Sequence, residues 1–374
     1  MDLSWTREQR AFADEARAWL DDNLELPEQP FADLAEEIAW GRDWQRRLAE
    51  GRWVGLSWPA AYGGRGASPV EVAIFNLEYA RSRAPQPVNR VGLNLAGPTL
   101  LAHGTEDQKA RWLPPLLRAD EIWCQLFSEP GAGSDLASLT TRAERVDGGW
   151  ALTGQKVWTS YAQFATWGIC LARTDPEAPK HRGISYFVVP IDTDGLEIRP
   201  LTQMTGEAEF NEVFLDGVFV PDDHLVGELN EGWKVANTTL AHERGTTFPF
   251  KEQVVHEVYF DRLLRQAAEA GLLDDEIVAE AFASSFVELR LLALANLRML
   301  SNLAKGGEPG PESSWIKLQW STMTQHLSEL GAELFPLDEQ WQRQHLWSKA
   351  ATIAGGTSEI QRRIIGERLL GLPR

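Results

Sequence analysis

QLFSEPGAGSDLASLTTRAERVDGGWALTGQKVWTS, residues 125–160, is the stretch around which the rest of the chain is organised. Its first apolar residues end in a glycine-containing turn at 129–135. Two segments with the alternation of β-strands follow, hinged at 147–149, and the second ends at Ser160. The segment thus joins a glycine-rich loop, small hydroxyl side chains and Trp158. This combination indicates a surface that packs against a flat aromatic cofactor.

The chain before residue 120 has a helical hydrophobic pattern. Thr6 and Gln9 have the spacing of a capping box, and Phe12, Ala16 and Leu20 then recur on one helical face. Similar spacing predicts further helices over 31–50, 69–83, 88–103 and 106–117.

The pattern changes to a period of two near residue 120. Seven short segments with Gly, Asp and Pro turns between them predict a small β-barrel or sandwich. These predicted strands are 122–128, 139–146, 150–158, 166–173, 183–191, 196–201 and 210–220.

Helical spacing returns after Gly227 and predicts a bundle. Its longest helix is expected to have Asp274 as N-cap and to stop at Gly306. The predicted helices are 232–244, 274–305, 311–331, 337–353 and 358–370. The fold prediction is therefore an α+β multidomain chain with an N-terminal helical domain (1–120), a central β domain (121–229) and a C-terminal helical bundle (230–374).

Composition restricts the class of function. The 374 residues carry a net charge of −18, which argues against nucleic acid as a partner because phosphate binding needs a basic surface. The two cysteines, Cys124 and Cys170, form no disulfide framework, so a reducing cytoplasm is expected. Charged residues interrupt the N-terminus and the apolar runs, so neither a signal peptide nor membrane insertion is expected. The histidines lack metal-ligand spacing, and no metal site is predicted.

Three motifs in this order resemble those of the acyl-CoA dehydrogenase family of flavoenzymes. They are SEPGAGSDLASLTTRA at 128–143, GQKVWTS at 154–160 and GGTSEIQRRIIG at 355–366. The resemblance implies an FAD cofactor and removal of an α-proton and a β-hydride from an acyl-CoA thioester. It also implies electron transfer to an electron-transfer flavoprotein, and dimers or tetramers that share FAD sites.

The resemblance assigns cofactor roles within the opening stretch. Phe127 and Ser128 are expected along the isoalloxazine ring, and Trp158 is expected on its face with the Ser160 hydroxyl near N5. Ser134 is expected beside the phosphates of coenzyme A or FAD. The alternatives are an ordinary inter-strand turn and a Trp in the protein core.

The C-terminal motif receives a second set of roles. The resemblance brings Thr357 and Glu359 to the adenosine half of FAD, whereas the alternative is helix capping by Thr357 or Ser358 with Glu359 in the first turn. Many relatives carry the catalytic Glu where this chain has Gly355. The backbone N–H of Gly355 can still hold the thioester carbonyl.

The catalytic base is expected at Glu243, on the first helix of the C-terminal bundle. Glu243-Arg244 resembles the pair found in branched-chain, long-chain and bacterial steroid side-chain members, and Arg244 is assigned to substrate binding. Trp233, Ala236 and Leu240 form an apolar stripe, and Glu243 lies at its edge. The alternative is a surface Glu paired with a Lys or Arg.

Two family motifs are missing. Residues 248–253 do not match Arg-x-x-Phe-Gly, and 325–331 keep at best one glycine of Gln-x-x-Gly-Gly. The half of the neighbour's FAD site that these motifs supply is therefore in question, so the expected assembly is either a homo-oligomer or a heterotetramer with a related subunit. The predicted function is FAD-dependent α,β-dehydrogenation of an acyl-CoA with a bulky or branched acyl group. The alternatives are a non-catalytic partner subunit and an acyl-CoA oxidase.

Overall fold

The computed structural model describes residues 5–27, 31–243, 247–306 and 310–373, with backbone only for 243 and 247–251. The chain forms two compact units. One contains Asn23–Ala67 and Pro85–Glu243, and the other contains Met1–Asp22, Ser68–Ala84 and Arg244–Arg374. The division into three domains at residues 120 and 229 stays a prediction.

The described residues form eleven α-helices and eight strands. The helices are α1 Arg7–Asn23, α2 Leu34–Glu50, α3 Pro69–Arg81, α4 Gly97–His103, α5 Glu106–Leu117, α6 Gly232–Glu243, α7 Thr247–Glu269, α8 Glu276–Leu303, α9 Glu312–Leu334, α10 Glu339–Ala351 and α11 Ser358–Ile364. The strands are β1 Trp123–Leu126, β2 Arg142–Val146, β3 Gly149–Ser160, β4 Trp167–Arg173, β5 Ile184–Pro190, β6 Leu196–Leu201, β7 Phe210–Pro221 and β8 Leu225–Val226.

The strands form a single sheet in the order β6-β7-β3-β2-β4-β5-β8, and β1 pairs in parallel with β4. All seven predicted strands are present, and the two-residue β8 is an eighth that the pattern does not predict. β2 and β3 turn at Gly148, whose φ of 73° is the left-handed conformation that glycine adopts without strain. The hydrophobic core of the sheet includes both cysteines, which are buried and free.

The helices of the other unit pack around a second apolar core. Phe260 of α7, Phe282 and Leu289 of α8, Trp320 of α9 and Trp341 of α10 all lie in it. At the N-terminus the predicted capping box is formed, because Thr6 and Gln9 exchange backbone-to-side-chain hydrogen bonds of 2.8 and 3.2 Å.

Two expectations for the helical bundle need correction. The N-cap of α8 is Asp275 rather than Asp274, since the carboxylate of Asp275 accepts from the amide of Ile277 at 2.8 Å. The chain between 247 and 269, for which no helix was predicted, forms α7. Its buried face includes His256, a polar residue in the apolar series that bonds to Thr324 at 2.7 Å.

Along the described chain, no helix combines the length and the apolarity needed to cross a membrane. The described residues also contain no group of three or more His, Cys, Asp or Glu side chains placed to hold a metal ion.

Candidate functional site

A bulge in β3 places Trp158 outside the regular ladder. Lys156 pairs with Val213 and Thr159 pairs with Asn211, so β3 contains one more residue than β7 over this interval. Trp158 has a φ of 60°, a left-handed conformation that costs a residue with a side chain about 1–2 kcal/mol. Its side chain is 62 % exposed and touches Phe210 edge-on at 6.1 Å, so within this chain Trp158 is not a core residue.

The other residues expected along the flavin ring lie beside this bulge. Phe127 and Ser128 directly follow β1, and the Ser128 carbonyl accepts from the amide of Val157 at 2.9 Å. Ser160 is the last residue of β3 and pairs with Phe210. The structure therefore brings Phe127, Ser128, Trp158 and Ser160 to one end of the sheet, and we call these four residues the platform.

A buried ion pair lies directly beneath the platform. Lys156 Nζ is 2.9 Å from Glu129 Oε1, and the two side chains are 0 % and 4 % exposed. The sequence reasoning missed this pair. The available signal was Lys156 as the only charged residue of the predicted strand 150–158, together with Glu129, which opens the glycine-rich turn.

Glu129 is held in its charged form. Burial alone raises the pKa of this carboxyl, but the charge of Lys156 and the hydrogen bonds from Thr141 and Thr140 outweigh burial and lower the pKa to about 2. Glu129 is therefore an ionised structural carboxylate at neutral pH, and it is unsuited to act as a general base.

The glycines of the turn at 129–135 leave open space. Neither Gly131 nor Gly133 has a positive φ, and a Cβ at either position meets no atom of the chain within 4 Å. The fold of this chain therefore does not require glycine at these positions. A ligand that approaches the backbone closely does require it, and Ser134 is exposed beside this space.

Helix α6 connects the position of the expected base to the platform. Its buried side chains, beyond the buried Gly232, are those of Val235, Ala236 and Thr239, which corrects the predicted stripe, since Trp233 and Leu240 are half-buried. The reason is that Trp233 packs on His181 at 5.1 Å, outside the core.

The Thr239 hydroxyl fixes α6 to its neighbours. The Thr239 hydroxyl oxygen lies 2.8 Å from the hydroxyl oxygen of Thr99 and 3.2 Å from the hydroxyl oxygen of Tyr186. The Tyr186 ring in turn packs edge-on against the Phe127 ring, with 5.8 Å between the ring centroids. Glu243 is the last residue of α6, one turn after Thr239. The side chain of Glu243 and the whole of Arg244 lie outside the described residues.

The C-terminal candidates belong to the other compact unit. Gly355 and Gly356 have φ values of 65° and 94°, and both of their carbonyls accept from Gln361 Nε2 at 3.1 Å. Thr357 is the N-cap of α11 and accepts from the amide of Ile360 at 3.3 Å, so the capping role is present. Glu359 is exposed and pairs with Arg362.

Comparison with known proteins identifies the family. The three domain profiles of acyl-CoA dehydrogenases match in order: the N-terminal domain over 6–120, the middle domain over 124–218 and the C-terminal domain over 230–370. The chain belongs to the acyl-CoA dehydrogenase family. The resemblance drawn from the three motifs is confirmed, and so are the fold class and FAD-dependent dehydrogenation of an acyl-CoA as the activity.

Named acyl-CoA dehydrogenases match along most of the chain. Acyl-CoA dehydrogenase IpdE1 of Mycobacterium tuberculosis is 40 % identical over 378 residues, which cover 97 % of each protein. Acyl-CoA dehydrogenase FadE34 of the same organism is 45 % identical over 339 residues, which cover 88 % of this chain and 46 % of FadE34. This chain therefore spans about half the length of FadE34.

Two solved structures of the same fold cover the whole chain. The Tcur3481-Tcur3483 steroid ACAD has a TM-score of 0.86 at 29 % identity. The ChsE4-ChsE5 complex from Mycobacterium tuberculosis has a TM-score of 0.86 at 31 % identity. Each alignment covers 100 % of both chains.

Proposed function

We propose that this acyl-CoA dehydrogenase acts on a thioester with a bulky, steroid-like acyl group and uses Glu243 as its catalytic base. The observation that carries the proposal is that the chain has a glycine at 355, where many relatives carry the catalytic Glu, and also has a Glu at the end of α6. Gly355 has no carboxylate to offer, and its φ of 65° is strained for any residue that has one. Glu243 follows Thr239 by one turn on a helix that is tied to the platform.

The residues divide the work as follows. A bound FAD would supply the acceptor for the β-hydride. Glu243 takes the α-proton, the Gly355 N–H holds the thioester carbonyl as charge develops on it, and Arg244 is assigned to substrate binding. Ser134 binds phosphate oxygens at the open glycine turn. Phe127 and Trp158 orient the ring, with hydrogen bonds from Ser128 and Ser160, while Thr357 and Glu359 bind the adenosine half.

Two features of the structure support the fit of FAD to these residues. Trp158 is a large aromatic side chain held in solvent by a strained backbone, and strain of this kind is found at functional sites. The space beside Gly131 and Gly133 admits a close ligand. The relative described as a steroid ACAD supports the bulky acyl group.

The decisive test is anaerobic bleaching of the flavin absorbance by a panel of acyl-CoAs of increasing bulk. We expect a steroid-type thioester to bleach the flavin fastest. Glu243→Gln should keep FAD and substrate binding but slow flavin reduction by about 10²–10⁴-fold. Glu231→Gln, at an exposed position just before α6, is the matched control and should reduce normally. Full activity of Glu243→Gln would refute the assignment of the base.

The physiological electron acceptor is a separate proposal. We infer that the acceptor is an electron-transfer flavoprotein, because the family reaction leaves a reduced flavin. We place the reaction in the cytoplasm, because both cysteines are free. The measurement is the rate of reoxidation by O₂ compared with that by an artificial one-electron acceptor. Fast reoxidation by O₂ would favour the oxidase alternative instead.

We also propose assembly with a related subunit of the same fold. Three observations support it: the two missing motifs, the two-chain ChsE4-ChsE5 relative, and FadE34, which is about twice as long as this chain. An apolar stripe on α8, at Val287, Leu291 and Leu294, is also about half exposed. A pure homo-oligomer with full flavin content and full activity would refute the proposal. A mixed oligomer in which this chain cannot reduce flavin would favour the non-catalytic alternative.

A further inference from the structure

The ion pair between Lys156 and Glu129 has no part in the reaction described above. Removing two charges from water is expensive, and a hydrophobic pair of the same size is often as stable or more stable. Stability alone therefore does not explain a buried pair of this kind. The hydrogen bonds of Lys156 and Glu129 indicate a role in positioning the segments around them.

Lys156 uses all three of its ammonium hydrogens. Besides Glu129 at 2.9 Å, Nζ donates to the carbonyl of Phe127 at 3.2 Å and to that of Leu171 at 2.8 Å. One side chain on β3 thereby holds the end of β1 and the middle of β4. The Phe127 carbonyl belongs to the peptide group that leads into Ser128, so this bond fixes the platform itself.

Glu129 holds the opposite side. One carboxylate oxygen accepts from the amide of Thr141 at 2.9 Å and from Lys156, and the other accepts from the amide and hydroxyl of Thr140 at 2.6 and 2.7 Å. The carboxylate is thus fully bonded, and it ties the start of the glycine turn to the segment that enters β2.

The pair also adjoins the strained bulge. Lys156 is the last regular residue of β3 before the left-handed Trp158, and Asn211 Nδ2 holds the far side through the Thr159 carbonyl at 3.0 Å. A strained residue persists only where its surroundings leave it no alternative. Lys156 supplies that constraint on one side of the bulge.

We propose that Lys156 and Glu129 are positioning residues for the flavin. Their pair fixes the Phe127–Ser128 segment relative to the Trp158 bulge, and so preforms the surface that receives the isoalloxazine ring. This inference rests on the proposed role of those residues in FAD binding.

The test separates positioning from stability. Lys156→Met leaves Glu129 buried without its cation, and should lower the melting temperature of the apoprotein and weaken FAD binding at least about tenfold. Lys156→Met/Glu129→Gln removes both charges and keeps an acceptor for Thr140. It should recover most of the melting temperature but not the FAD affinity, because the bond to the Phe127 carbonyl stays lost.

The measurements are apoprotein melting, the FAD dissociation constant by fluorescence titration, and the shape of the bound-flavin spectrum. They are made on the full chain, with the related subunit present if one co-purifies. Val220→Ala, buried at the other end of the β3–β7 pair, is the control and should lower the melting temperature without changing FAD affinity. If Lys156→Met is insoluble, Lys156→Arg replaces it and should weaken FAD binding with little loss of stability.

Two outcomes would overturn the inference. One is a double variant that regains FAD affinity together with stability, which would make the pair merely structural. The other is unchanged FAD affinity in Lys156→Met or, where that variant is insoluble, in Lys156→Arg. A wild-type chain that binds no FAD would instead be a failure of the proposed function.

Discussion

Two kinds of glycine occur in the opening stretch, and they differ in what they imply. Gly148 has a φ of 73°, so the backbone of the β2–β3 turn explains its identity. Gly133 has neither a positive φ nor an atom within 4 Å of an added Cβ, so the chain alone does not explain it. A residue that the isolated fold does not need is a candidate for contact with a ligand.

This contrast predicts that alanine at one glycine weakens ligand binding and not stability, whereas alanine at the other lowers stability and not ligand binding. Gly133→Ala should leave the apoprotein as stable as before, or stabilise it by about 0.4–1 kcal/mol, and should weaken ligand binding several-fold. Gly148→Ala should destabilise the apoprotein by about 1 kcal/mol and leave ligand binding unchanged. Chemical denaturation and titrations with FAD and an acyl-CoA measure both quantities. Unchanged binding of both ligands in Gly133→Ala would remove the turn from the site.

At the residue scale, the motifs and the three-dimensional structure identify different residues of the site. The platform residues could be named from the motif, because each has a distinctive type at a fixed spacing. Lys156 and Glu129 could not be paired, because they are far apart along the chain and meet only through the pairing of several strands. Lys156 is the only charged residue of β3, but its partner becomes known only from the fold.

At the element scale, the bulge in β3 determines the role of this strand in the site, and the hydrophobic pattern does not predict that bulge. The alternation predicts a strand over 150–158, and β3 runs Gly149–Ser160 with one extra residue between Lys156 and Thr159. A period-two pattern gives no sign of this insertion. The bulge decides which way Trp158 points, and therefore whether it is a core residue or a ligand contact.

Substitutions at Trp158 measure the strain in the bulge. Trp158→Gly should be more stable than Trp158→Ala by about 1 kcal/mol, because glycine relieves the left-handed φ and alanine does not. Both variants should lose most of the FAD affinity. At Phe214, in the regular part of β7, the order should reverse, with the alanine variant the more stable. Equal stabilities of the two Trp158 variants would mean that the bulge stores no strain.

The helices show where periodicity succeeds and where it fails. The pattern predicts 106–117, and α5 occupies Glu106–Leu117, because apolar residues at helical spacing follow a clear N-cap at Thr105. No helix was predicted over 247–269, where α7 lies and where the polar His256 is buried. The hydrogen bond to Thr324 that makes this burial tolerable joins residues on two helices and has no local signature.

At the scale of the whole molecule, the motifs reveal the family but not how the site is assembled. The contacts from Phe127 to Tyr186 and from Tyr186 to Thr239 join a loop, a strand and a helix. None of these contacts is visible in the spacing of the motifs. The missing motifs concern the assembly, and the surface of α8 provides a way to test it.

The apolar stripe of Val287, Leu291 and Leu294 gives a prediction about that assembly. These residues recur at helical spacing and are each about half exposed, so Leu291→Asp should cost the fold of the chain little. If the stripe meets a related subunit or a second copy, the buried carboxylate should weaken association by at least about tenfold. Light scattering after size-exclusion chromatography should then give a smaller mass. Leu337→Asp, at a position that is 95 % exposed, is the matched control and should leave the mass unchanged. A wild-type mass for Leu291→Asp over a concentration series would show that the interface lies elsewhere.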